Sequence, residues 1–175
     1  VRRGWAGLRN RETHRVLGTY HRSQFELAQS ARNLVNATVH ELELVHHLTQ
    51  AGDESALDEA RIYFADQYDV LGKALSLRKR YAPAVRAYDR ALAHAPDDWY
   101  AHHYRAFNLD VQGVDAAEVE RGYERAVELE PDHLWNHSRL TCFYITRSRT
   151  QMAERSWTRF RNRFSLEPIA NDERL

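Results

Sequence analysis

At 175 residues, with 25 basic and 25 acidic side chains and an isoelectric point near 7.3, the chain can bury a real core and carries no net field towards nucleic acid or an anionic membrane. Its one cysteine, Cys142, excludes an internal disulfide and points to a reduced, cytoplasmic setting, and no apolar run reaches the roughly 18 residues of a membrane span. Seven glycines, four prolines and sparse, non-alternating Val and Ile give an all-α composition.

Residues 1–22 carry Arg2, Arg3, Arg9, Arg11, Arg15 and Arg22 against Glu12 and read as a basic N-terminal arm. The opening "VRRGWAGLRN" has neither the apolar core of a signal peptide nor an initiator Met, as expected of a piece of a longer chain. Lys73 and Lys79 stand alone against a large excess of Arg, a skew expected of a GC-rich bacterial genome. Over 23–50, Leu27, Ala31, Leu34, Leu42, Val45 and Leu48 predict one amphipathic helix. Gly52 suits the position past its end, and Asp53 and Ser55 can cap a second helix over 56–80. Residues 23–64 thus read as an antiparallel helical hairpin that caps the segment beginning at residue 65 and continues into it.

Pro83 falls in the first turn of the next helix, which Pro96 ends. Asp97 or Asp98 caps a helix that stops before Gly113. Asp115 with Glu118 opens another, ending at Pro131, and Asp132 caps a helix to about Thr146. The last helix begins near Thr150 and ends before Pro168. Laid against itself, the chain repeats. Ala84, Tyr88, Ala91 and Pro96 recur as Val119, Tyr123, Ala126 and Pro131, and more loosely as Ala153, Trp157, Phe160 and Pro168. Two helices per roughly 34 residues is the period of a helical solenoid.

In these residues the chain resembles the tetratricopeptide-repeat (TPR) family. The first unit reads Tyr68, Leu71, Gly72, Leu75, Ala84, Tyr88, Ala91, Pro96, where the family has Trp, Leu, Gly, Tyr, Ala, Phe, Ala, Pro. Ala106 and Thr141 stand at the second and third glycine positions, and one residue is inserted near Gly113. The resemblance divides residues 65–168 into units 65–98, 99–133 and 134–168, with a tail over 169–175. Small residues at Gly72, Ala84 and Ala91 let helices approach, while aromatics such as Tyr88 fill the space between units.

The resemblance implies a non-enzymatic interaction module that binds a partner peptide or helix on the first helices of its units. By position, that groove presents Asp66, Asp69 and Lys73, then Tyr100, His103, Phe107 and Asp110, then Trp135, Ser138, Arg139 and Cys142. An acidic mouth beside an aromatic floor suits a basic, apolar segment. The family members that clamp chaperone C-terminal carboxylates use basic and amide side chains. Here Asp69 and Tyr104 occupy two of those places and only Arg139 fits, so that ligand is not expected. The end at Pro168 lacks a capping helix, which points to a missing element, a partner or self-association. Two other classes stay open: the regulatory or sensor arm of a larger bacterial signalling or defence enzyme, and a nucleic-acid binder.

Ten histidines invite a metal. His40, Glu43 and His47 share a helix face, but "HELEL" places Leu44 where a zincin motif needs His, and the face reads as solvated. His133 and His137 lack a third ligand, and His102 and His103 point apart. Cys142 beside His137 carries no nucleophile signature and reads as a buried thiol. No metal and no cofactor is expected. Arg147, Arg149, Arg155, Arg159, Arg161 and Arg163 make the last helix basic, yet Ala153, Trp157, Phe160 and Phe164 fall at helical spacing as its buried stripe, which leaves the arginines as a wet face rather than a nucleic-acid surface.

Overall fold

The computed structural model describes residues 2–30 and 34–164, with side chains described from residue 10 onward except 29, 34 and 35. Pro168 and the 169–175 tail lie outside the described residues. Eight helices occur among those described: α1 (Arg2–Ser30), α2 (Leu34–Ala51), α3 (Glu54–Leu77), α4 (Tyr81–His94), α5 (Trp99–Val111), α6 (Ala116–Leu129), α7 (Leu134–Thr146) and α8 (Thr150–Arg163). No strand occurs among them, so the protein is all-α as composition indicated. The chain divides into two compact units, Val1–Phe64 and Ala65–Leu175, and α3 runs through the division.

In the first unit the expected basic arm is instead the front of a long helix. Residues 23–50 are not one helix: they divide between α1 and α2, which pair with each other. The expected apolar stripe is also displaced: Leu27 and Leu42 are 61% and 63% exposed. The buried seam uses Gly18, Phe25 and Ala28 on α1 and Ala37, Glu41, Leu44, Leu48 and Ala51 on α2. With half-buried His14 and His21, the α1 positions alternate by four and three, and so do those of α2, the spacing of a paired-helix seam. Two histidines and a glycine hold three of the five α1 seam positions, so apolar periodicity could not register this helix. Gly18 lies against Leu44 and Leu48, where an added Cβ would sit 3.4–3.5 Å from their side chains. Further along, Phe25 meets Phe64 at 4.8 Å between ring centroids and Tyr63 at 5.9 Å.

In the second unit α4 packs on α5, α5 on α6, and α7 on α8. The second helix of each pair has one narrow buried stripe: Ala84, Ala87, Tyr88 and Ala91 on α4, and Val119, Tyr123, Ala126 and Val127 on α6. Residues three, four and seven apart define one helix face, so these helices form wherever that face is covered. The first helices α5 and α7 bury more of their surface, including His103, Asn108, Asn136, His137 and Thr141.

Close approach within each pair is solved three ways. A Cβ on Gly72 would lie 2.7–2.9 Å from the Tyr88 ring, so only glycine admits that ring. Ala106 lacks this freedom, and the space is supplied opposite by Gly122, whose own Cβ would meet Ala106 Cβ at 2.9 Å. In the third pair Thr141 and Ser156 face each other instead, bonded through their hydroxyls at 2.8 Å in a buried contact.

The helix ends show matching chemistry. Asp98 caps α5 by accepting from the backbone N–H of Tyr100 and Ala101, and Asp115 caps α6 by accepting from Ala117 N–H. Glu118 is not the return arm of a capping box, because it bonds Arg105 at 2.7 Å. Nor does Asp132 cap α7. His133 holds that position without a side-chain cap bond, and Asp132 pairs with Arg163. The turns inside the three pairs each place one residue in the left-handed region: Lys79 (φ 58°), Gly113 (φ 69°) and Ser148 (φ 55°). Only the middle one is glycine. A side chain costs roughly 1–2 kcal/mol in that region, and glycine returns part of that in the unfolded chain. Lys79→Gly and Ser148→Gly are therefore expected to stabilise the protein by about 0.5–1 kcal/mol each. Urea denaturation midpoints check this, and a fall in either would show that these side chains make compensating contacts.

Candidate functional site

The residues expected on the first-helix surface of the second unit separate into two clusters. The first is centred on Asp69 of α3. Its Oδ1 is buried without a hydrogen-bond partner, and its carboxyl also bonds Asp98. Two carboxyls can share that bond only if one is protonated. Asp98 Oδ1 already accepts two backbone N–H groups, at 2.9 and 3.2 Å, whereas buried Asp69 Oδ1 accepts none. Asp69 therefore holds the proton, and burial, then Asp98 and Asp66, push its pKa up to about 8. The expectation that Asp69 contributes charge to an acidic mouth is corrected: at neutral pH it is a neutral donor, and exposed Asp66 carries the charge. Beside it, Tyr88, Tyr100 and Tyr104 form an aromatic cluster, with Tyr100 and Tyr104 centroids 4.4 Å apart and Tyr104 stacked on Tyr88 at 6.2 Å. Lys73 is exposed and Tyr100 half-buried.

The second cluster joins α5 and α7. The Arg139 guanidinium lies 5.1 Å from the Phe107 ring centroid and 5.0 Å from that of Trp135. Trp135 remains 48% exposed, Phe107 and Ser138 half-buried. A guanidinium between two ring faces gains cation–π attraction and orders both rings. Asp110, also expected on this surface, is committed to Arg147 at 2.7 Å.

His103 does not belong to the surface. It is fully buried, 4.8 Å from Tyr104 and 5.7 Å from Tyr123 between ring centroids, with Nδ1 unpartnered. Burial first, and the Arg139 charge next, hold it neutral with its pKa lowered to about 4. Its place on α5 lies against α6, which the family pattern does not distinguish from the open face.

The residues assigned to repeat packing are mostly buried. Ala84, Tyr88, Ala91, Tyr123, Ala126, Tyr68, Gly72 and Phe160 are buried, Leu71 is half-buried, and Pro96 and Pro131 lie in the turns between helices. Tyr68 is held by Arg90, which donates to its hydroxyl at 2.6 Å. Trp157 departs from expectation: it is 48% exposed, and Ser156 takes the buried place on α8. Trp157 lines an apolar cavity of about 650 Å³ with Thr141, Ile145, Ser148, Thr150 and Ala153. Cys142, expected buried, is exposed. His102 and His137 repeat one structural role: each donates Nε2–H to the carbonyl of the proline six residues earlier, Pro96 and Pro131, at 2.9 Å. No sequence motif announced that pairing, though the shared offset of six was visible.

Of the six arginines near the C-terminal helix, Arg147 pairs with Asp110 and Arg149 with Glu120 in the turn before α8, and Arg163 pairs with Asp132 at its end, so carboxylates offset part of the positive charge of this region. No helix among the described residues is long and apolar enough to cross a membrane.

No family model matches the chain, and no curated protein matches it in sequence. Solved structures do. A MamA crystal structure superposes with a TM-score of 0.56 at 16% identity, covering 83% of this chain and 86% of that one. The TPR2AB domain of yeast Sti1, in complex with pHSP90, gives 0.55 at 18% identity over 86% of this chain and 63% of that one. An IFIT1 monomeric mutant with m7Gppp-AAAA gives 0.53 at 16% identity over 87% and 42%. All three are TPR-repeat proteins. The phased helix pairs and these neighbours together identify the fold as an all-α, TPR-like solenoid.

Proposed function

We propose that the chain is a non-catalytic protein-interaction module that binds an extended or helical partner segment on α3, α5 and α7. The observation that carries this reading is the Phe107–Arg139–Trp135 stack, an ordered aromatic surface with half-exposed Trp135 at its edge. Exposed aromatic and Arg anchors of this kind dominate binding energy when a partner covers them. Asp66 adds negative charge beside Asp69, which favours a segment that is both basic and apolar. The Sti1 neighbour was solved with pHSP90. Here Asp69 and Tyr104 stand at two of the places where a carboxylate clamp uses basic and amide side chains, which argues for a different segment. The exposed Cys142 thiol fits a reducing, cytoplasmic setting.

Selection from a random peptide library against the whole chain tests the proposal. The expected winners combine Arg or Lys with aromatic or branched apolar residues, and Trp135→Ala should weaken them about thirtyfold, an anchor's worth of roughly 2 kcal/mol. Asp66→Ala should reduce binding at low salt and much less at high salt, as a rim charge does. Winners indifferent to Trp135→Ala would remove this surface from the account.

A further inference from the structure

The α1–α2 hairpin gathers five histidines and a carboxylate that the partner-binding reading does not use. On α1, His14 and His21 are seven residues apart; on α2, so are His40 and His47, with Glu43 between them and His46 alongside. Seven residues are nearly two turns, so each pair lies on one face. Antiparallel packing sets His14 against His47 and His21 against His40, with Nδ1···Nδ1 distances of 2.9 and 3.1 Å. The His21 and His47 rings stack at 5.4 Å with 26° between their planes. Ligand atoms of His21, Glu43 and His47 lie within 4.8 Å of one another.

The protonation chemistry is restrictive. Each Nδ1···Nδ1 contact admits one proton: one nitrogen donates and the other accepts with its lone pair. Two imidazolium rings cannot share such a contact. Because Nδ1 of His21 and of His47 is engaged by a second imidazole, Nε2 is left on each. His47 Nε2 already faces Glu43 Oε2 at 3.9 Å. An imidazole whose outer nitrogen is fixed by a hydrogen bond, with its inner nitrogen turned towards a carboxylate, is the arrangement that metal-binding histidines adopt.

We propose that His21 Nε2, His47 Nε2 and the Glu43 carboxylate form a binding site for a divalent transition metal, with His14 and His40 as the outer partners that orient the ligating rings. Two imidazoles and a carboxylate select a borderline cation such as Zn²⁺, because Mg²⁺ and Ca²⁺ need oxygen-rich shells. Bonds of about 2 Å place tetrahedral ligands roughly 3.3 Å apart, so ligand atoms within 4.8 Å of one another need close by about 1.5 Å at most, within reach of side-chain rotation. The fourth position falls to water. Glu43 is half-exposed and gives the ion an entry path. The ion would join α1 to α2, and binding the folded state alone would raise the melting temperature of this unit.

Zn²⁺ titration of the tag-free, chelator-treated chain tests the proposal, with metal content and melting temperature read in parallel. The expected result is one Zn²⁺ per chain and a Zn²⁺-dependent rise in melting temperature, with no response to Mg²⁺. His47→Gln should weaken binding at least about a hundredfold and His14→Phe about tenfold, the range for losing a ligand and an outer partner. His133→Gln, on the loop before α7, should leave it unchanged. If His47→Gln does not fold, Glu43→Gln decides, since it alters only a half-exposed side chain and must still weaken Zn²⁺. The absence of Zn²⁺ uptake, unchanged affinity in Glu43→Gln, or loss of binding in His133→Gln would each overturn the proposal and leave the histidines as proton-sharing pairs of the seam.

Discussion

Ala126→Trp is expected to abolish cooperative unfolding of the Ala65–Leu175 unit, while Arg159→Ala leaves it intact. Ala126 is fully buried on α6, and its carbonyl accepts from Glu130 N–H at 3.1 Å and from Asn136 Nδ2 at 3.0 Å. Neither the side chain nor the backbone there can move without breaking contact with α7. Insertion of even a few methylenes into such a core costs roughly 1–3 kcal/mol, and an indole is several times larger. Against a total stability of about 5–15 kcal/mol, that removes most of the margin. Arg159 is exposed on α8, where substitution is worth about 0.5 kcal/mol or less. Urea denaturation followed by circular dichroism reads both. Similar midpoints for the two variants would mean that the buried stripe has been misassigned.

Asp69→Asn is expected to stabilise the protein increasingly as pH rises from about 4 to 8. Asp69 is raised from its ordinary value of 3.8 to about 8, so between those values the folded state binds the extra proton, and stability falls as pH rises. His103 acts in the opposite sense. Its folded pKa, about 4, lies below the ordinary 6.5, so its contribution is complete above 6.5 and is lost as pH falls towards 4. That loss amounts to about 3 kcal/mol at most. The two slopes oppose each other from about 4 to 6.5, and above 6.5 Asp69 acts alone of the two. Asn is neutral throughout and its amide can still donate to Asp98. The difference between variant and wild type thus isolates Asp69 and the Asp98 carboxyl coupled to it, since titrations elsewhere, His103 among them, cancel. It should be near zero at the acid end and largest near pH 8. A difference that does not vary with pH would show that Asp69 is ionised and solvated.

The second helices are legible in sequence because their chemistry is one-sided. Ala84, Tyr88 and Ala91, and Val119, Tyr123 and Ala126, each form a single apolar stripe, and the proline after each sets the phase. The first helices are less so, because α5 and α7 bury polar groups where a hydrophobic pattern expects none: His103, Asn108, Asn136 and His137. Repeat phase alone therefore puts His103 on the surface, and apolar spacing alone puts Trp157 inside. The α1–α2 seam escapes for the same reason, since His14, Gly18 and His21 carry positions that apolar counting skips. Of the candidate binding surface, the positions of Phe107, Trp135 and Arg139 follow from repeat phase. Their stacking does not, because it depends on the distance between α5 and α7. The proton on Asp69 is likewise invisible in sequence, as Asp98 lies 29 residues away.

Two tryptophans of equal exposure allow the most direct test. Trp135 lies on α7 against Arg139, and Trp157 on α8 beside the apolar cavity; each is 48% exposed. The measurement is the dissociation constant of a selected peptide for wild type, Trp135→Ala and Trp157→Ala, with the melting temperature of each recorded alongside. If the first helices bind the partner, Trp135→Ala weakens binding about thirtyfold at a nearly unchanged melting temperature, and Trp157→Ala binds as wild type. The contrary result is loss of binding in Trp157→Ala alone, which would move the partner, or a second copy of the chain, to the α7–α8 cavity. Unfolding of Trp135→Ala would contradict the account as well, by showing that Trp135 holds the fold together rather than receiving a partner.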